Sequence, residues 1–303
     1  MIRTVLGDID PKQLGVTMCH EHFIVDLSII RKDNESKIET VEEVTPEIEK
    51  MMSLGVNSAI EVTTNDMYRD VIKLKEISKK TKLNIVAATG FYLSEYHPDY
   101  LEQLSEDEIA QIMINDLTVG IGGTDIKAGV IGEIASSPKE FVGCEKKVLK
   151  AAGIASVATG SAVTTHTGRF TAKETVEILI NIGVPADKII IGHQDLIDDT
   201  DYHLSILKYG VNIGFDTCGK IAYQPDEVRA KNILKLIRYG YGDHIMCSND
   251  ISRRSYFTSY GKYGYTAVMQ RIIPLLKEYG ATDEEIECLL VNNPARIFNN
   301  DRW

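Results

Sequence analysis

The chain has 303 residues, 44% hydrophobic and 25% charged, with 33 basic against 44 acidic side chains and a formal net charge of -11. That length can bury a large core, in one α/β barrel or two ordinary domains, and the composition is that of a soluble globular protein without a disordered tail. The acidic balance argues against a nucleic-acid surface and against an anionic membrane, so any anion must be captured by a local basic pocket. Five scattered cysteines (Cys19, Cys144, Cys218, Cys247, Cys288) form no close pair and suit a reducing cytoplasm. Asp8 interrupts the N-terminal segment before an apolar signal could form, and no run of about 20 uncharged apolar residues exists. The expectation is a cytoplasmic protein, neither exported nor anchored.

In chain order, the first short apolar run is GVTMCHEH, residues 15 to 22. His20 and His22 stand two apart, which puts them on one face of a strand, where they can share a metal or be an ordinary half-exposed polar pair. Further strand-like runs follow at NSAIEVTT (57–64), LNIVAATGFY (83–92), KAGVIGEIA (127–135), SAVTTHTG (161–168), KIIIGHQD (188–195), VNIGFDT (211–217) and DHIMCSND (243–250). Between them lie segments with apolar residues at helical spacing, such as TVEEVTPEIEKMMSLG, YRDVIKLKEISKKT, TAKETVEILINIG and EVRAKNILKLIRYGYG. Residues 93–125 make a long excursion after strand three, expected to form an extra helix and part of the mouth. Strand and helix thus alternate eight times, the pattern of a (β/α)8 TIM barrel, read as a single domain over 1–303. The rival is a doubly wound open sheet, which usually has fewer strands and often a glycine-rich phosphate turn; no G-x-G-x-x-G or P-loop occurs here.

The strand ends carry the chemistry. Strand one ends in His20 and His22, strand four carries Glu133, strand five His166, strand six His193, and strand eight ends in Asp250. In a barrel these ends converge on the face that bears catalytic residues. Singly, each has a plain structural role: a paired carboxylate for Glu133, satisfied core imidazoles for His166 and His193, a turn cap for Asp250. Jointly, four of the seven histidines with two carboxylates in matching places point to a metal centre. A single zinc needs three or four protein ligands, so this set suits two ions with a carboxylate bridging them. Imidazole with carboxylate suits zinc, with manganese, iron, cobalt and nickel as alternatives.

HEH on strand one, GEI on strand four, THT on strand five, GHQD on strand six and SND on strand eight resemble the phosphotriesterase family of the amidohydrolase superfamily, from LGVTMCHEH to NNPARIF. Many members place a carboxylated lysine on strand four, whereas this chain has Glu133, which resembles the phosphotriesterase homology protein branch with its bridging glutamate. The resemblance implies that His20, His22 and Asp250 hold one metal, His166 and His193 the other, and Glu133 bridges. A bridging hydroxide would attack carbonyl carbon or phosphorus, and Asp250 would orient it, accept its proton and pass that proton to the leaving group.

For substrate, Arg253, Arg254 and Tyr256 follow Asp250, Lys220 follows strand seven, and Tyr92 follows strand three. Gathered at one mouth, these cations would bind phosphate or carboxylate; alternatively Arg253 and Arg254 pair with acidic neighbours or cap helices. In the lactonases this branch resembles, similar positions hold the phosphate of sugar lactone phosphates. The expected activity is therefore hydrolysis of a carboxylic ester or lactone with a small anionic substrate, phosphorylated sugar lactones included. Phosphoester or phosphotriester hydrolysis and N-acyl amide hydrolysis are the enzyme alternatives, and a metal-containing binding protein without turnover is the other class. YGKYGY supplies aromatics for a homodimer interface or for the mouth. Cys19 and Cys247 read as packing residues, with strand alternation turning Cys19 away from His20. NNPARIF reads as a helix start anchored by Ile297 and Phe298.

Overall fold

β-branched runs too short for helices, each followed by an amphipathic segment, build a parallel barrel. The structure is a computed structural model that describes residues 1–303. The barrel strands are β1 (Thr17–Glu21), β2 (Ser58–Glu61), β3 (Asn84–Thr89), β4 (Val130–Ala135), β5 (Val163–His166), β6 (Ile189–Ile191), β7 (Asn212–Phe215) and β8 (Ile245–Cys247). Each pairs in parallel with the next, giving one sheet in the order β8-β7-β6-β5-β4-β3-β2-β1. The intervening helices are α1 (Val41–Ser53), α2 (Val71–Thr81), α3 (Glu106–Thr118), α4 (Glu145–Thr159), α5 (Ala172–Ile182), α6 (Thr200–Leu207) and α7 (Asp226–Arg238). Capping boxes at Thr40/Glu43 and Ser105/Glu108 satisfy the first amides of α1 and α3.

Between β8 and β1 a ladder gives way to a clasp. Asp250 N–H donates to His20 O at 3.1 Å, His20 N–H donates to Ser248 Oγ at 2.9 Å, and the buried Glu21 carboxylate takes over from there. Its Oε1 accepts from Ser248 Oγ at 2.8 Å, Asn249 N at 2.9 Å and Asn249 Nδ2 at 2.7 Å. The middle residue of HEH therefore sews the barrel shut while its two neighbours face inward.

Apolar packing falls into two layers. A cluster of 67 buried residues fills the space between strands and helices, and a separate cluster of 13, including Ile60, Val62, Val86, Val130, Ile190 and Met246, fills the barrel interior. Ile2 and Leu14 from the N-terminal segment and Ile297 and Phe298 from the C-terminal helix belong to that interior cluster. Strict alternation is broken on β1, where the register against β2 shifts between Met18 and Glu21, so Cys19 joins the interior cluster instead of facing away from it.

Two other expectations change. The 93–125 excursion contains α3, which is the ordinary crossover between β3 and β4, so no extra helix exists; two short 3-10 turns, Ser94–Tyr96 and Asp99–Glu102, precede it. NNPARIF lies at the end of its helix, not the start: the N-cap is Thr282, and Asn293–Phe298 is the last stretch. Both anchors are buried as expected, and Phe298→Ala should cost about 3–5 kcal/mol in urea unfolding, because the emptied space lies among fixed strand side chains.

Candidate metal centre

The side chains that end the strands meet at the C-terminal mouth. Glu133 reaches the centre through an irregularity in the β4/β5 register between Ile131 and Ile134. The turn needs glycine before it: Gly132 has φ +115°, and a Cβ there would stand 2.0 Å from Thr164 O. His193 and Asp250 sit just past their strands with φ of 58° and 51°, left-handed backbone that costs about 1–3 kcal/mol each and is held only where surroundings over-determine it. For His193 that holding group is Asp216, whose Oδ1 accepts from the His193 backbone at 2.9 Å and lies 2.8 Å from its Nδ1.

Glu133 is the hub. Its Oε1 lies 3.3 Å from His22 Nε2, while its Oε2 lies 3.1 Å from His166 Nδ1, 3.2 Å from His20 Nε2 and 3.6 Å from His193 Nε2. Asp250 Oδ1 stands 3.3 Å from His22 Nε2 and 4.0 Å from His20 Nε2. All of these groups are buried except His166, whose side chain is 28% exposed. Thus the structure brings His20, His22, Glu133, His166, His193 and Asp250 together. Two donor sets can each hold a cation, His20–Glu133–His193 and His20–His22–Asp250.

The donors fit such cations chemically. Both ring nitrogens of His20 are buried without a hydrogen-bond partner, and His193 Nε2 and His166 Nδ1 share a hydrogen bond at 2.7 Å, which brings two imidazole nitrogens to one region. Burial opposes charge on His20, yet Glu133 and Asp216 more than offset it and hold its pKa well above the imidazole norm. His193 is likewise buried, and Asp216 pushes it up to about 10. His166 goes down, through burial and the neighbouring His193. Burial would raise the carboxyl groups, but His20 beside Glu133, and Lys220 and His22 beside Asp250, keep both below the usual carboxylate range.

A cavity of about 370 Å³ opens above this floor. Among the expected substrate contacts, Tyr92, Lys220, Arg253 and Tyr256 line it. Lys220 donates to Asp250 Oδ2, and Arg253 donates to Asp33. Arg254 is not brought to the cavity: it donates to Asn34 O at 2.7 Å and lies 3.8 Å from Glu43 and 4.0 Å from Glu35. In YGKYGY, Tyr260 and Tyr263 are exposed, whereas Tyr265 is fully buried and its hydroxyl donates to His22 O at 2.7 Å.

Several supporting residues were not anticipated. Asp216 ends β7 as the candidate ligands end theirs, and that position was its signal. Thr63 Oγ1 lies 2.9 Å from His22 Nδ1 and donates to Glu61 Oε1 at 2.6 Å, which fixes the His22 ring. Asp195 of GHQD forms a wholly buried ion pair with Arg229 at 2.6 Å and accepts from Asp216 N at 3.3 Å.

With the geometry in view, comparison with known proteins is decisive. The model of the Phosphotriesterase family matches residues 1–298. The chain belongs to the phosphotriesterase family. It is 34% identical over 285 residues to the phosphotriesterase homology protein of Escherichia coli (strain K12), covering 94% of this chain and 98% of that one. The crystal structure of that protein, complexed with phosphate in its active site, superposes with a TM-score of 0.92 at 33% identity, covering 96% and 100% of the two chains. A lactonase from Listeria monocytogenes superposes with a TM-score of 0.93 at 28% identity, over 98% of each chain. An N-acetyltaurine hydrolase of Dictyostelium discoideum is 29% identical over 98% of this chain and 97% of its own. The family consists of binuclear metal-dependent hydrolases, and this chain is a phosphotriesterase-family hydrolase.

At pH 8 an ordinary imidazole is neutral, whereas His193, held up to about 10, retains a proton in cation-free protein, and His20 is shifted in the same direction. A cation needs the same lone pair, so loading at pH 8 should release at least about one proton per chain. Apparent affinity should climb as pH rises from about 6.5 toward 10. Calorimetry in buffers of different ionisation enthalpy counts the protons; a loading enthalpy independent of buffer would contradict this electrostatic account.

Proposed function

We propose that this hydrolase cleaves an anionic carboxylic ester or lactone, a phosphorylated sugar lactone being the best fit, with two divalent cations that are zinc, or alternatively manganese, iron, cobalt or nickel. The division of Glu133 between His22 on one oxygen and His20, His166 and His193 on the other, at the floor of a cavity walled by Lys220, Arg253 and Tyr256, carries the proposal. His20, His22 and Asp250 would hold one cation, His166 and His193 the other, and Glu133 would bridge. When bound, such a pair lowers the pKa of water to generate a nucleophile at neutral pH and polarises the scissile carbonyl.

The chain's own groups do the rest. Asp250 turns Oδ1 toward His22 while Lys220 engages Oδ2, which fixes the carboxylate at the reaction centre, where it would accept a proton from the attacking water and hand it to the departing oxygen. Tyr92 is buried, and burial raises its pKa, so it remains a phenol able to donate to a substrate oxygen. Its own backbone N–H is pinned by both oxygens of Asp66, at 2.9 and 3.0 Å. Tyr256 packs beside Lys220, whose Nζ lies 5.3 Å from its ring centroid, and gives the cavity wall a flat apolar contact for the substrate.

The phosphate held by the Escherichia coli relative and the lactonase activity of the Listeria relative support this substrate class. The N-acetyltaurine hydrolase relative supports a second reading, N-acyl amide hydrolysis at the same centre. Metal-loaded protein should show its highest kcat/KM on phosphorylated lactones, measured against plain lactones, aryl phosphotriesters and N-acyl amides. A higher value on the triester or amide would replace the proposed substrate class. Asp250→Asn should lower kcat by about 10²–10⁴ on whichever substrate is turned over.

A further inference from the structure

We propose that Arg31 is the specificity-determining cation of the active-site cavity, the residue that seats the anionic group of the substrate; this deepens the proposed function and rests on it. Four cations stand in or near the mouth, and three already have carboxylate partners. Lys220 is engaged by Asp250, Arg253 by Asp33, and Arg254 by Glu35 and Glu43 outside the cavity. Arg31 lines the same cavity as Glu133, His166, His193 and Asp250, is half-buried, and forms no ion pair. Its one side-chain hydrogen bond is long, from Nη1 to Ser252 Oγ at 3.4 Å.

Tyr92, Tyr96 and the Asp250 charge surround the half-buried guanidinium and favour its charged form, but no carboxylate stands within ion-pair distance, so its fork stays open to an arriving anion, unlike those of the cations already paired. The planar fork of arginine matches two oxygens of a phosphate, carboxylate or sulfonate, which an ammonium does not. The loop also holds Arg31 in place before any ligand arrives. It closes the short helix Ser28–Arg31, whose first residue, Ser28, donates to Asp26 Oδ1 from N at 2.9 Å and from Oγ at 2.6 Å. Asp26 is itself paired with Lys37 at 3.1 Å across the small hairpin Val25–Asp26/Lys37–Ile38. Ser252, two residues beyond Asp250, ties the other side to the loop that carries a candidate metal ligand. Anion recognition and the reaction centre are thus joined through one short stretch of chain.

Arg31→Met and Arg31→Lys test this in two independent ways. Matched lactones with and without a terminal phosphate are assayed on metal-loaded protein. Arg31→Met should lower kcat/KM about 100-fold on the phosphorylated member, mostly through KM, and leave the uncharged member within about threefold. Arg31→Lys should recover about tenfold of the loss. Equal losses on both members, or no loss on the phosphorylated one, would overturn the assignment. Should neither lactone be hydrolysed by the unaltered protein, the proposed reaction fails while Arg31 remains testable: inorganic phosphate binding, followed by calorimetry on the metal-loaded protein, should weaken at least tenfold in Arg31→Met. Unchanged phosphate binding would overturn it.

Discussion

Burying Glu133, Asp216 and Asp250 within one polar cluster is the constraint on which this structure turns. An ionised carboxylate removed from water is costly unless positive charge and hydrogen bonds meet it. Here four imidazoles and Lys220 supply them, and the low carboxyl pKa values alongside the high values of His20 and His193 express that mutual dependence. A cluster in which imidazoles meet buried carboxylates is also one that divalent cations can occupy, with release of any proton on a ligand nitrogen. The same electrostatics therefore account for folded-state order and for readiness to bind metal.

Around this cluster lies a shell whose task is orientation. Asp216 holds His193, Thr63 with Glu61 holds His22, Tyr265 holds the backbone of His22, and Glu21 binds β1 to the loop after β8. Each contact bridges segments far apart in sequence, so the site's precision is a property of the closed barrel. The left-handed backbone at His193 and Asp250 fits this view, because local strain persists where many neighbours specify it.

The eight-strand order and the six converging side chains were legible because strand ends are marked twice, by β-branched residues before them and by histidine or carboxylate at them. The calls that changed concern what pattern cannot encode. Alternation placed Cys19 outward, but a register shift on β1 undid it. Arg253 and Arg254 were open to two readings, anion contacts at the mouth or partners of acidic neighbours: both pair with carboxylates, and only Arg253 lines the cavity, because a 3-10 turn at Arg254–Tyr256 sends Arg254 toward Glu35 and Glu43. Arg31 gives no signal in sequence because a charged residue in a loop is usually solvated, and only the folded hairpin around it shows that it is half-buried without a direct ion pair. Tyr265, open from sequence to an interface or a mouth role, has neither: it is buried, with its hydroxyl donating to His22 O.

The central claim is that residues from β1, β4, β5, β6 and the loop after β8 enclose a pair of cations about the Glu133 carboxylate. Anomalous diffraction from crystals of the metal-loaded protein tests it most directly. The account predicts two peaks about 3.5–4 Å apart on either side of Glu133, one near His20, His22 and Asp250 and one near His166 and His193. A Glu133 carboxylate turned out of the cluster, with no anomalous density among these residues, would contradict it.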